Sequence, residues 1–201
     1  KERGITVVHV VSSSRFAVKC KEAGVDAVVA EGFEAGGHNG REETTTFCLI
    51  PAVREATTLP LIAAGGIGTG EGMGAEGVQI GTRFALTEES SASSVFKDYC
   101  LSLREGDTKL LLKKLAPTRL VKNAFREAVE KAEDSGASAE DLRTLLGRGR
   151  AKKGIFEGDL EEGELEIGQV SAIISRRQSV AEVMNELVAA YQRAAKKDYL
   201  F

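Results

Sequence analysis

The hydrophobic positions follow two regimes. Up to about residue 87, short apolar runs alternate with segments of helical spacing. "ITVVHVV" (5–11) is β-branched and apolar on both faces, as in a strand covered on both sides of a parallel sheet. "SSSRFAVKCKEAG" follows. Its serines suit an N-cap, Phe16, Ala17 and Cys20 recur at helical spacing, and Gly24 suits a stop. "DAVVAEG" is the next strand. "TTTFCLIPAVREATT" reads as a helix with threonine ahead of its apolar stripe, and Pro51 inside it blurs the bounds. "PLIAAGG" and "GVQIGTRF" are a third and a fourth strand. Strand–helix–strand units of roughly 25–30 residues predict right-handed crossovers and a parallel sheet. His9, between valines, is expected in the core or lining a barrel.

From Glu88 the strand pattern stops. "SSVFKDYCLSLREG", "DTKLLLKKL", "TRLVKNAFREAVEKAEDSG" and "SAEDLRTLLGRGRAKKG" read as helical, with a capping-box variant at Ser138 and Asp141. "FEGDLEEGELEIGQVSAII" is acidic and irregular before it becomes apolar. "SVAEVMNELVAAYQRAAKK" is an amphipathic terminal helix. The expected organisation is an α/β unit over 1–87 and a mainly helical segment over 88–201 that packs on it.

Composition narrows the function classes. The 201 residues are 42% hydrophobic and 28% charged, ordinary for a globular chain. A net charge of −3 carries no electrostatic footprint for nucleic acid. No apolar run approaches the ~20 residues of a membrane span. Cys20, Cys48 and Cys100 are far apart and odd in number; they suggest neither a disulfide set nor a metal site, and predict a reducing cytoplasm. The opening "KERGITVVHVV" has no initiator methionine and reads as the middle of a larger protein.

Candidate chemistry sits at the strand ends. In parallel α/β sheets and barrels, ligands bind at the carboxyl ends of strands. Three of the four expected ends are glycine-rich: "AEGFEAGGHNG", "AAGGIGTGEG" and "QIGTRF". Glycine lets backbone N–H groups approach an anion. Two such loops after consecutive late strands, backed by helix N-termini, would cradle a phosphate with Gly65, Gly66, Gly81 and Thr82. His38 follows Gly36 and Gly37 at the same end, and an imidazole can give and take a proton near neutral pH. Glu31 ends its strand facing that mouth. Gln79 offers a donor and an acceptor, which suits a flavin or nucleotide edge.

"EAGGHNG", "IAAGGIGTGEG" and "GVQIGTRF", in this order, resemble the FMN-dependent enoyl-acyl-carrier-protein reductase II and nitronate monooxygenase (2-nitropropane dioxygenase) family, in the form found in Bacteroidetes-type bacteria. "RLVKNAF" and "ELEIGQVSAII" extend the likeness over essentially the whole chain. The resemblance implies a TIM (β/α)8 barrel with an added helical segment. This chain would supply strands 5–8, the C-terminal half. It implies non-covalent FMN, with Glu31, Gly36, Gly37, Gly65, Gly66, Gln79, Ile80, Gly81 and Thr82 as contacts. His38 would be the active-site histidine, and Gly168 and Gln169 would lie near the substrate. NAD(P)H is the implied co-substrate, and the partner is an acyl-carrier-protein-bound or a small nitro substrate.

The sequence also departs from the family. An asparagine contact carried by the first half of the barrel is absent, and "SSASSVF" lacks an expected His-Pro pair. The chain is expected to be a fragment, or a homodimer whose copies complete each other. "GGIGTGEGMGAE" holds too little apolar sequence for a covering helix, and the resemblance implies about six further residues between Met73 and Gly74, which are expected to be missing.

Two family activities compete. A reductase would use NAD(P)H to reduce an enoyl-acyl-carrier-protein in fatty acid synthesis. A monooxygenase would oxidise alkyl nitronates with dioxygen. The Ala-Glu-Gly strand end, where monooxygenases more often show glutamine, leans toward the reductase. Val170, where they often place serine, leans the same way. A non-catalytic half-barrel is the reading from another class.

Overall fold

The structure is a computed structural model and describes residues 3–68 and 75–195. Four parallel strands, β1 (Val8–Val11), β2 (Ala27–Glu31), β4 (Leu61–Ala64) and β5 (Gly77–Gln79), pair in the order β1-β2-β4-β5. They are the four strands expected from the sequence, though β1 starts three residues later. Helices α1 (Ser14–Glu22) and α2 (Thr46–Ala56) make the first two crossovers and pack against each other. Ser13 caps α1 by accepting from the Phe16 amide at 3.4 Å. Pro51 sits on the exposed side of α2, where the helix runs through it and water can reach the unpaired carbonyl. Ala17, Cys20, Leu49, Ile50 and Val53 from the helices meet Val28, Ala30, Leu61 and Ala63 from the strands in one core. The junction between Met73 and Gly74 lies outside the described residues.

β1 is an edge strand. Val8 and Val10 are 47% and 46% exposed, so the expectation of a strand covered on both sides fails here. His9 is exposed as well; it neither enters the core nor lines a barrel, and its Nδ1 lies 2.7 Å from the Val10 carbonyl.

The expectation that strands stop at Glu88 is also wrong. "DTKLLLKKL" contains β6 (Thr108–Leu111) and "TRLVKNAF" begins with β7 (Thr118–Val121). Leu110, Leu111 and Leu112 are buried in succession, which a single helical stripe does not allow but an extended, two-faced segment does. β7 is buried at all four positions. These strands pair antiparallel, and β7 also pairs with β3 (Gly37–His38) from the glycine loop. The second sheet, in the order β3-β7-β6, therefore joins the two expected segments across residue 87.

The remaining helices behave as their sequence suggests. α4 (Ser94–Leu101) packs Phe96 and Cys100 with Val121, Leu165 and Ile167. α5 (Ala124–Asp134) and α6 (Ala139–Leu146) cover β6 and β7 through Phe125, Val129 and Leu142. The Ser138–Asp141 capping box is present: Ser138 Oγ accepts from the Asp141 amide at 3.2 Å, and Asp141 Oδ2 accepts from the Ser138 amide at 2.9 Å. α7 (Val180–Ala195) is the terminal amphipathic helix. No helix among the described residues is long and apolar enough to cross a membrane.

Candidate functional site

The carboxyl ends of β2, β4 and β5 open on one cavity of about 280 Å³. Glu31, Gly36 and Gly37 line it from the loop after β2, and Gly65 and Gly66 from the loop after β4. Gln79, Ile80, Gly81 and Thr82 line it from the end of β5 and the start of the short helix α3 (Thr82–Ala85). The parallel register brings these loops together, with Glu31 paired to Ala64 and Ala64 to Gln79.

The glycines are used for close approach. Gly65 has φ +84°, and a Cβ there would lie 2.5 Å from the Gly32 carbonyl oxygen. At Gly36 a Cβ would come within 2.5 Å of the Ile167 backbone. The amide N–H groups of Gly65, Gly66, Gly81 and Thr82 have no acceptor among the described residues. A set of unpaired main-chain donors around one cavity is the donor set that a phosphate needs.

The loop after β2 is held from three sides. Glu34 accepts from the Thr46 amide at 3.0 Å and from Thr46 Oγ1 at 2.9 Å, which caps α2 with a carboxylate. Thr46 Oγ1 also lies 2.8 Å from the Gly65 carbonyl, tying the second glycine loop to the first. Arg119 of β7 donates to the Phe33 carbonyl. Asn39 Nδ2 donates to the Ala35 and Gly37 carbonyls at 3.0 and 2.9 Å.

His38 is exposed beside the cavity wall, next to Gly37 and paired in register with Thr118. Gly168 packs against Gly36, and its amide donates to Thr82 Oγ1 at 3.0 Å. The Gln169 amide donates to the Glu34 carbonyl at 2.9 Å, but its side chain is exposed and outside the wall. The segment thus meets the cavity-lining residues through its backbone. Val170 lines the cavity.

Sequence reading missed Glu34 and Glu166. Both line the cavity. Glu34 could have been suspected from its place between two glycine runs, ahead of a helix. Glu166 lies in an extended stretch bridged to Leu120. Leu165 and Ile167 on either side are buried in the core, so alternation turns Glu166 the other way. Its carboxylate occupies the space where a side chain at Gly37 would begin. Burial pushes the Glu166 carboxyl above its ordinary range, and the charge of His38 acts against that shift. Burial also raises Glu31.

The chain is matched by known proteins. The family model for nitronate monooxygenase matches residues 1–190. The chain belongs to the nitronate monooxygenase family. A probable nitronate monooxygenase from Staphylococcus saprophyticus is 30% identical over 203 residues, covering 92% of this chain and 56% of that protein. One from Staphylococcus aureus strain JH9 is 37% identical over 150 residues, covering 66% and 42%. The chain thus spans about half the length of the curated relatives it matches. Among solved structures, FabK from Thermotoga maritima superposes with a TM-score of 0.90 at 34% identity, covering 97% of this chain and 63% of that one. A nitroalkane oxidase from Streptomyces ansochromogenes gives 0.79 at 28%, covering 96% and 60%.

Proposed function

We propose that this chain carries the FMN-binding and substrate-facing part of an NAD(P)H-dependent reductase of enoyl-acyl-carrier-protein thioesters. The observation that carries the reading is the convergence on one cavity of two glycine loops whose amides have no acceptor among the described residues, with His38 at its edge. Those amides fit a phosphate. Gly65, Gly66, Gly81 and Thr82 would hold it, and Glu31 and Gln79 would hold the ring edges. FMN, when bound, supplies electron transfer between the nicotinamide and the unsaturated acyl chain. His38 delivers a proton to the α-carbon as the β-carbon is reduced. The Gly36–Gly168 contact closes one side of the site against water. The open edges at β1 and β5, with Val8, Val10 and Val78 exposed, support reading the parallel sheet as strands 5–8 of a (β/α)8 barrel.

The family's name and its curated relatives favour a second reading, the oxidation of alkyl nitronates with dioxygen. Glu31 and Val170 in the wall support the reductase instead. The two are separated by anaerobic mixing of the FMN-loaded protein with NADPH and, separately, with a propyl nitronate. Bleaching of the flavin by NADPH and its recovery on adding a crotonyl thioester are expected. Flavin that ignores nicotinamides and bleaches with the nitronate would reverse the ranking.

A further inference from the structure

Three carboxylates line the cavity, Glu31, Glu34 and Glu166, and no lysine or arginine does so among the described residues. Two have evident places. Glu34 is engaged by the Thr46 amide and hydroxyl. Glu31 ends β2 at the cavity floor beside Ala64. Glu166 is different. Its carboxylate accepts no hydrogen bond among the described residues, yet it is set firmly against the Gly37 backbone, one residue from His38. Its position is fixed by its neighbours rather than by a partner: Leu165 and Ile167 are 1% and 3% exposed and pin the strand.

The charged groups around it do not neutralise it locally. Glu164, two residues earlier, adds a like charge. Arg119, on the strand that pairs with β3, spends its guanidinium on the Phe33 carbonyl and Thr108. His38 is the basic side chain that acts on it electrostatically.

We infer that Glu166 is a specificity-determining residue that biases the His38 end of the cavity toward neutral substrates and against anionic ones. The inference rests on the reading of this cavity as the substrate site. A nitronate carries its negative charge on two oxygens, like a carboxylate. An enoyl thioester is neutral at its reacting end. A fixed carboxylate in a partly buried wall repels an incoming anion at short range and costs it about tenfold in affinity. The neutral thioester is spared that cost, and a donor group on it could bond to the free oxygens.

The test uses two unreactive probes of matched shape, butyrate and butyramide, bound to the FMN-loaded protein and followed by ligand-observed NMR at pH 8. Butyramide should bind the unmodified protein about tenfold more tightly than butyrate. Glu166→Gln should close that gap to within about twofold by improving butyrate alone, and Glu166→Asp should restore it. Unchanged butyrate affinity in Glu166→Gln, or a parallel shift of both probes, would overturn the assignment. So would the failure of either probe to bind any of the three proteins, because Glu166 would then border no substrate space. A direct titration with FMN separates the two ideas. Absence of FMN binding, with the probe discrimination present in the same titrations run without added FMN, would refute the flavin reading and leave the role of Glu166 standing.

Discussion

Arg119 is 2% exposed, and its guanidinium donates to the Phe33 carbonyl through Nε at 3.1 Å and Nη2 at 2.6 Å, while stacking 4.9 Å from the Phe33 ring. Burial pulls its pKa down, and Glu34 and Glu43 hold it up. A cation in this position joins the antiparallel sheet to the first glycine loop. Arg119→Ala would leave a buried carbonyl without its donor and open a void, for a loss of about 3 kcal/mol in stability. Urea unfolding of the two proteins measures it. A change below about 1 kcal/mol would mean that the loop holds itself.

The two adjacent glycines after β4 should respond unequally. A Cβ at Gly65 meets the Gly32 backbone, with the carbonyl oxygen 2.5 Å away, and φ there is +84°. At Gly66, φ is +67° and the nearest atom is Glu34 Cβ at 3.3 Å, part of a side chain that can shift. Gly65→Ala should cost about 2–4 kcal/mol and Gly66→Ala about 1 kcal/mol. Thermal unfolding of both variants would show the difference, and equal losses would contradict the packing described for Gly65.

Glu164 gives the protein a pH signature. It is buried, and that burial, with the Glu166 charge, raises its carboxyl from 4.5 to about 7. A carboxyl with a higher pKa in the folded state favours folding while it is protonated. Its contribution is complete below about pH 4.5 and is lost as pH rises through about 7. Stability should therefore fall between pH 5 and pH 8 by on the order of 2 kcal/mol more in the unmodified protein than in Glu164→Gln. Denaturant midpoints at the two pH values, for both proteins, supply the comparison. Parallel slopes would place the titration elsewhere.

Much of the site was legible because it depends on local backbone rules. Glycine-rich stretches after apolar runs announce strand ends, and parallel strands bring those ends together; Gly36, Gly65 and Gly81 follow from that. The acidic wall was not legible. Glu166 enters the cavity only because Leu165 and Ile167 are claimed by a core with Phe96 and Val121, partners some 45–70 residues away. β6 and β7 were misread for the same reason. "KLLLKK" has no period of its own, and pairing with Thr118–Val121 decides its conformation. β3 is only two residues long, and without β7 as a template it would be a loop.

His38 provides the sharpest division between binding and turnover. It stands next to Gly37 in the wall, yet its own ring is exposed rather than packed under the cavity floor. The amides that suit a phosphate, which have no acceptor among the described residues, belong to other loops, at Gly65, Gly66, Gly81 and Thr82. Its pairing with Thr118 uses the backbone, which a substitution leaves in place. His38→Ala should therefore leave the FMN dissociation constant within about threefold while lowering kcat roughly 10²–10⁴-fold, the usual worth of a positioned proton donor. His38→Gln should retain the fold and the flavin but not the rate, because an amide hydrogen-bonds without transferring protons. Steady-state turnover beside a flavin fluorescence titration checks both. Loss of FMN with full activity per bound flavin would move His38 from proton transfer to cofactor binding.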